Sequence, residues 1–431
     1  MKKMREMLSG IVKNPFFKSL IVLSGGTLLA QIVNFGFSMV MTRQYDAEAI
    51  GYFTYILSIV SMFSTVVNGR YDVSIVSSKD KTETLSLIKL SFYICLVSSF
   101  VIFVGSFFYM AAFHKQYSNF LYLSGFIFPL LIVYGLVNIL NAYNNKFGEY
   151  KLISGAYLIR TIWQSVLTTI AGFFWANPFS LLSSQLIGQI FGIKKQAKRL
   201  LTERAELKSL KKGDLKLVAK QYRRQPVFSV PATLVNAVSY SLISIFIGDF
   251  FNMSMLAFYS ISVRVLGLPL SIFSTNISKI HFREAEDEIN ESGCYKRCTA
   301  KMVLFSLVIA IFMVLILVLF APAIFEIFYG SEWRISGVYV QILAPMFAFR
   351  MMVGAVGYSF IISEKQRTEF VFQLLLLVSL FATAISYKIF NFEINIFLMI
   401  ISITYSVVYL AELLSIIWYS HMSMGKDLSN E

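Results

Sequence analysis

Twelve long apolar stretches separated by short polar segments constrain this chain more than any other feature, since each is near the roughly 20 residues a helix needs to cross a bilayer. They run Ser19–Met41, Ile50–Asn68, Leu85–Phe113, Phe120–Asn141, Leu152–Trp175 and the shorter Phe179–Ile193. A second set of six follows: Val227–Gly248, Ala257–Lys279, Met302–Phe320, Gly337–Ile361, Phe370–Ile389 and Ile394–Tyr419. With 57% hydrophobic and 14% charged residues, too little polar surface remains to cover a water-soluble globule. The sequence therefore predicts an all-α polytopic membrane protein.

Sorting the 38 Lys and Arg residues by loop orients it. With the N-terminus inside, 30 fall on the cytoplasmic side, 12 of them between Lys194 and Arg224, and only Arg43, Lys115, Arg334 and Lys388 on the other. The positive-inside rule then puts both termini in the cytoplasm. The basic leader Met1–Lys18 runs into an apolar stretch too long for a signal peptide and lacking a small-residue cleavage site, which predicts a first transmembrane helix. A net charge of +14 fits loops facing anionic lipid headgroups; membrane lipids are expected partners and nucleic acid is not.

Four basic residues fall within the stretches. Lys89 sits one turn inside its helix, within snorkelling reach of the interface. Arg160, Arg264 and Arg350 lie deeper, at the inner third, the outer third and near the middle of their spans. An intramembrane guanidinium is costly unless it faces protein or water, so each is a candidate functional group. Glu412, the only acid well inside a span, shares a helix face with Tyr405, Tyr409, Ser415 and Tyr419. Three deep arginines to one glutamate favour an anionic passenger, because the guanidinium fork matches phosphate. Pairing of Arg160 with Glu412 is the structural alternative for that pair. Glu412 is also a candidate ion-coupling group for H+ or Na+; no other cofactor is expected.

Polar residues inside the spans recur at helical spacing. The first span aligns Ser24, Thr27, Gln31, Asn34 and Ser38; the second, Thr54, Ser58, Ser61, Thr65 and Asn68. The fifth aligns Tyr157, Arg160, Thr161, Gln164 and Thr168; the seventh, Ser229, Thr233, Asn236 and Tyr240. The eighth aligns Ser260, Arg264, Gly267, Ser271, Ser274 and Ser278. Small polar residues serve close helix packing, but Gln31, Asn34, Gln164 and Asn236 are large and require water or partners, which an aqueous cavity lined by both halves supplies. Pro129, Pro231, Pro269 and Pro345 also fall inside spans, where proline kinks a helix.

The expected organisation is a six-helix bundle over residues 1–193, a basic cytoplasmic segment over 194–225, a second bundle over 226–420 and a tail over 421–431. The basic segment carries spaced leucines and reads either as a helix on the membrane face or as a solvated linker. Cys95, Cys294 and Cys298 suggest neither disulfide nor metal site. His114, His281 and His421 lie in loops or tails with no nucleophile arrangement beside them, and no phosphate-binding loop occurs. An enzyme is therefore not expected.

Several passages resemble one family. They are Thr42–Tyr45 with Glu48–Phe53, then Gly69–Val76, and in the second half Phe320–Pro322 with Phe325–Trp333 and Ala344–Pro345. Leu268–Ser271 and Phe282–Ala285 also fit. Together they are similar to the polysaccharide transporter branch of the multidrug/oligosaccharidyl-lipid/polysaccharide (MOP) flippase superfamily, which includes Wzx-type O-antigen flippases. The resemblance implies two six-helix bundles around a central cavity in the bacterial inner membrane. It implies alternating-access transfer of a polyprenyl-pyrophosphate-linked oligosaccharide to the outer leaflet, in company with a polysaccharide polymerase and chain-length machinery. Arg70, in the Gly69–Val76 passage, is expected at the cytoplasmic mouth, where it either contacts pyrophosphate or pairs with Asp72. The alternatives are an ion-coupled multidrug antiporter of the same superfamily, its peptidoglycan-precursor flippase branch, which usually carries two further C-terminal helices, and a membrane O-antigen polymerase. For the polymerase, the longest outer loop, Ala321–Ser336, is short for chemistry on sugars.

Overall fold

A computed structural model describes residues 15–113 and 118–422. The leader as far as residue 14, Lys115 and the tail with Lys426 lie outside the described residues, as do the side chains of Ser24 and Thr27. The apolar stretches are mainly helical, Phe120–Asn141 and Gly337–Ile361 each being interrupted by a turn, and no strand occurs among the described residues. Nine segments among them are long and apolar enough to cross a membrane by length and composition. The protein is an all-α, multi-pass membrane protein. Its chain divides into two compact units, one up to Ala237 and one from Val238.

The first unit holds α1 (Pro15–Gln44), α2 (Ala47–Ser64), α3 (Tyr71–Ser77), α4 (Lys81–Phe113), α5 (Ser118–Ser124), α6 (Ile127–Lys146), α7 (Tyr150–Phe174) and α8 (Pro178–Ile190). Its caps are local: the Asp46 carboxylate accepts from the Ala49 N–H, and Asn177 and Ser180 form a capping box with Pro178 behind it. Pro129 lies in the first turn of α6 rather than its interior, so no helical hydrogen bond is lost there. At 13 residues α8 is short, and it crosses α7 at Gly188, where a Cβ would stand 2.6 Å from the Gln164 Cα.

The basic segment is folded. Its helices α9 (Ile193–Thr202), α10 (Arg204–Ser209) and α11 (Lys212–Gln221) press Leu200, Leu207, Leu210 and Val218 onto Ile75, Leu85, Ile88 and Ile139, while Leu201 and Leu217 stay exposed. Polar contacts fasten it to the bundle. The Tyr71 hydroxyl donates to the Ala219 carbonyl at 3.2 Å, Tyr143 to Glu203 at 2.8 Å, and Lys81 to Glu206 at 2.6 Å.

A π-turn at Gln225–Ser229 leads into α12 (Val230–Phe250), which carries the chain into the second unit. There follow α13 (Met253–Ser292), α14 (Lys296–Tyr329), α15 (Arg334–Ala355), α16 (Ser359–Ile362), α17 (Gln366–Phe390) and α18 (Ile394–His421). The segment expected as an outer loop, Ala321–Ser336, is helical through Tyr329 and then makes one 3-10 turn at Ser331–Trp333. Burial of Phe325, Tyr329 and Trp333 holds it against the unit. Pro322 therefore lies inside α14, without an N–H for the Val318 carbonyl four residues back. The Gln341 side chain of α15 donates to that carbonyl at 2.6 Å. One turn earlier, Gly337 permits the approach, since a Cβ there would meet the Pro322 Cα at 2.4 Å. At the centre of this unit, α15 packs against α13, α14 and α18. Serines of α13 and α18 donate to its backbone: Ser262 to the Ser336 carbonyl, Ser274 to Met351 and Ser402 to Ile342.

Two predictions follow from this packing. Gly337→Ala should destabilise by about 1–3 kcal/mol, the usual cost of overpacking, whereas Gly267→Ala on α13, with nothing within 4 Å of the new Cβ, should be neutral or slightly stabilising. Equal melting temperatures for the two variants in detergent would refute the close contact. The second concerns His281, fully buried with its Nε2 3.1 Å from the Thr299 hydroxyl and its ring against Tyr295. Burial pushes the imidazole down to about 4, so the folded form holds it neutral. Its contribution is complete above the ordinary value of about 6.5 and is lost as pH falls from there toward 4. The drop in melting temperature between pH 7 and pH 5 should therefore shrink in His281→Gln.

Candidate functional site: an arginine among tyrosines

Arg350 projects from the inward-packed α15. Its guanidinium carbon stands 3.9 Å from the centroid of the Tyr240 ring and 5.7 Å from that of Phe347. Tyr259 of α13 and Tyr405 and Tyr409 of α18 lie within electrostatic reach of it. Hydrogen bonds fix the tyrosines: the Tyr240 and Tyr409 hydroxyls are 2.5 Å apart, and Tyr405 donates to the Ser239 carbonyl at 2.8 Å. Tyr405 also sets its ring edge-on to Tyr240 and Tyr409.

Among the described residues, Arg350 has no carboxylate and no hydrogen-bond acceptor. A desolvated cation–π contact is worth about 2 kcal/mol, comparable with the roughly 2.5–3.5 kcal/mol cost of inserting an arginine at mid-membrane depth. The ring thus offsets much of the burial cost without consuming a single N–H. The guanidinium keeps its five donors in a flat fork, a geometry that binds carboxylate or phosphate oxygens in pairs.

The other sequence-predicted residues have different surroundings. Arg264, half-buried on α13, lies near Tyr329 of α14. Arg160 is in the first unit, 3% exposed, and donates to the Gln196 side chain at 2.9 Å. Gln196 in turn donates to Asn141 at 2.8 Å, and its carbonyl accepts from Asn144. Arg160 therefore ties α9 to the bundle. Glu412, 8% exposed on α18, has Glu369 of α17 as its charged neighbour.

Gln31 is half-buried on α1, Asn34 is exposed beside it, Gln164 is half-buried at the α7–α8 crossing, and Asn236 is exposed on α12. Of the smaller stripe residues, Ser38, Ser58 and Ser274 bond backbone carbonyls, and Asn68 spans the Ser91 and Gly135 carbonyls. These serve packing. Lys89 lies beneath the basic segment and donates to the Leu207 and Leu210 carbonyls at 3.2 and 3.1 Å.

Arg70 has φ +61° directly after Gly69 at φ +62°, a left-handed corner rare for a residue with a Cβ. Its Nε reaches the Ser229 hydroxyl at 3.4 Å. Its charge lowers the Asp72 carboxyl, but burial outweighs it and leaves that carboxyl raised.

The tyrosine partnership of Arg350 went unread from sequence. Tyr240 belonged to a recognised stripe and Tyr405 and Tyr409 to another, but Tyr259 stands one position off the Ser260 stripe. Gln196, the partner of Arg160, sits within a segment read by its charge and its spaced leucines.

Tyr240→Phe should keep the ring beneath Arg350 and cost only the hydroxyl pair, about 1 kcal/mol, whereas Tyr240→Leu should cost about 2 kcal/mol more. Matching unfolding midpoints for Phe and Leu would dismiss the cation–π contact.

The sequence from residue 40 to 337 matches the family described as polysaccharide biosynthesis protein. No curated protein matches the chain by sequence. Among solved structures, the chain is similar to the lipid II flippase MurJ in an inward closed conformation, with TM-score 0.70, 15% identity, and coverage of 92% of this chain and 87% of that one. It is also similar to an inward-facing multidrug resistance MATE transporter of the MOP superfamily, with TM-score 0.57, 13% identity and coverage of 91% and 93%. A third match is a MOP superfamily transporter from Pyrococcus furiosus described as having a binding pocket of reverse polarity, with TM-score 0.54, 12% identity and coverage of 94% and 96%. At these identities the likeness establishes a shared MOP-type fold.

Proposed function

We propose, from the premise that this chain belongs to the polysaccharide biosynthesis protein family, that it is a flippase for a lipid-linked saccharide. The passenger is a polyprenyl-pyrophosphate-linked oligosaccharide, an O-antigen or capsule-type repeat unit, moved from the cytoplasmic to the outer leaflet of the bacterial inner membrane by alternating access. The observation that carries this reading is Arg350, a cation set on a tyrosine ring with no carboxylate among the described residues. A site that keeps a guanidinium uncompensated favours an anion and disfavours a cationic drug.

In this proposal Arg350 takes the pyrophosphate or an acidic sugar, with the Tyr240 and Tyr409 hydroxyls beside it. Arg264 adds charge, and Gln31, Asn34, Gln164 and Asn236 offer amides to sugar hydroxyls. Arg70 acts at the cytoplasmic mouth. Arg160 and Lys89, bonded to the basic segment, are proposed to support the fold rather than touch the passenger. Glu412 with Glu369 is the proposed group for H+ or Na+ coupling, since two neighbouring carboxylates hold a shared cation or proton more readily than two separate charges. The proposed halves are 1–193 and 226–420, with the basic segment fastened to the first. A polymerase and chain-length machinery take up the product.

The test joins a cellular and a molecular measurement. Loss of the protein should strand single lipid-linked repeat units in the inner leaflet; unpolymerised single units in the outer leaflet would point to a polymerase instead. Arg350→Lys should retain part of the transport, and Arg350→Ala should lose most of it at normal membrane abundance. Losing one charged partner weakens affinity about ten- to a hundred-fold. Full transport per molecule in Arg350→Ala would remove the anion-binding role.

A further inference from the structure

Beneath the basic segment of the first unit lies an apolar groove of about 490 Å³ between α4, α6, α9 and α10. Phe92, Leu136, Leu140, Ala197 and Leu200 wall it, and two lysines, Lys89 and Lys208, stand at its margin. Lys89 spends two of its three N–H bonds on the Leu207 and Leu210 carbonyls and retains one. Lys208 is exposed and has no acidic partner among the described residues. The carboxylates of the same segment are engaged elsewhere: Glu203 accepts from Tyr143, and Glu206 pairs with Lys81.

The groove also touches Tyr93, where an exposed apolar stripe begins. Tyr93, Val97, Phe100, Val101 and Phe108 are each 49–66% exposed, and their spacing puts them along one side of α4. From Lys89 to Phe108 the helix rises about 28 Å at 1.5 Å per residue, close to the roughly 30 Å hydrocarbon thickness. Lys89 therefore stands at headgroup level, with the groove opening onto the lipid-facing side of α4. An apolar slot continuous with hydrocarbon and closed at its polar end by two cations has the chemistry of an anionic phospholipid site.

We propose that this groove holds one anionic phospholipid of the leaflet on the basic side, with an acyl chain in the slot and the phosphate between Lys89 and Lys208. The lipid cements the basic segment to the bundle at a place distinct from the Arg350 site.

Full-length protein in mild detergent, titrated with dioleoyl phosphatidylglycerol or dioleoyl phosphatidylcholine and read by native mass spectrometry, tests this. One phosphatidylglycerol should be retained per chain, in clear preference to phosphatidylcholine. Lys208→Glu should weaken retention about ten-fold, while Lys194→Glu, the same reversal elsewhere in the segment, should leave it unchanged. Ala197→Trp, which fills the slot without altering charge, should abolish retention at an unchanged melting temperature; should that variant unfold, the two lysine reversals decide alone. Equal retention of the two lipids, equal effects of Lys194→Glu and Lys208→Glu, or a folded Ala197→Trp that still holds lipid would each overturn the proposal. So would stronger retention of a polyprenyl phosphate, which would assign the groove to the tail of a passenger.

Discussion

A backbone carbonyl in hydrocarbon must find a donor, and where a proline removes the donor its own helix would have supplied, a neighbouring helix has to provide one. For Pro322, one of three prolines inside helices of the second unit, the donor comes from a helix crossing. Pro322 leaves the Val318 carbonyl open, Gln341 fills it, and Gly337 lets the two helices come close enough for Gln341 to reach. The crossing joins α14 to α15, which also packs on α13 and α18, and Arg350 stands nine residues beyond Gln341 on the same helix. Sites built on rigid elements hold their geometry better than sites on loops.

Charge is handled differently in the two units. In the first, several cations hold the fold together: Arg160 through Gln196, Lys89 through two carbonyls, Lys81 through glutamates. Each bond attaches the basic segment to the bundle. In the second, Arg350 is stabilised by a ring face, which attracts the charge while leaving its donors unused. An intramembrane arginine is thus not one kind of feature. The group facing it decides whether it binds its own chain or something else.

The helices were legible in the sequence because hydrocarbon imposes a compositional demand that each stretch meets on its own, and even the shortness of α8 could be read from Phe179–Ile193. The partners were not legible, because they depend on how helices are rotated and crossed. Gln341 gave no sign of serving Val318, since nothing local ties residue 341 to residue 318. Ala321–Ser336 read as loop because it lies between the apolar stretches Met302–Phe320 and Gly337–Ile361, yet the helix runs through Pro322, where Gln341 supplies the missing donor. Of the site, Arg350 was visible as a charge out of place, while the ring beneath it was one of 23 tyrosines. The leucines of the basic segment were visible, but not the surface made by Ile75, Ile88 and Ile139 that receives them.

The folded basic segment bears on how the protein is made. Its apolar contacts and its clamps to Tyr71, Lys81, Lys89 and Tyr143 all point backward along the chain, and none of them waits on a residue later than Gln225. As the ribosome feeds the chain into the membrane from its N-terminal end, the first unit can be completed and sealed before α13 emerges. Nascent helices of the second unit then enter the membrane after the first unit is finished.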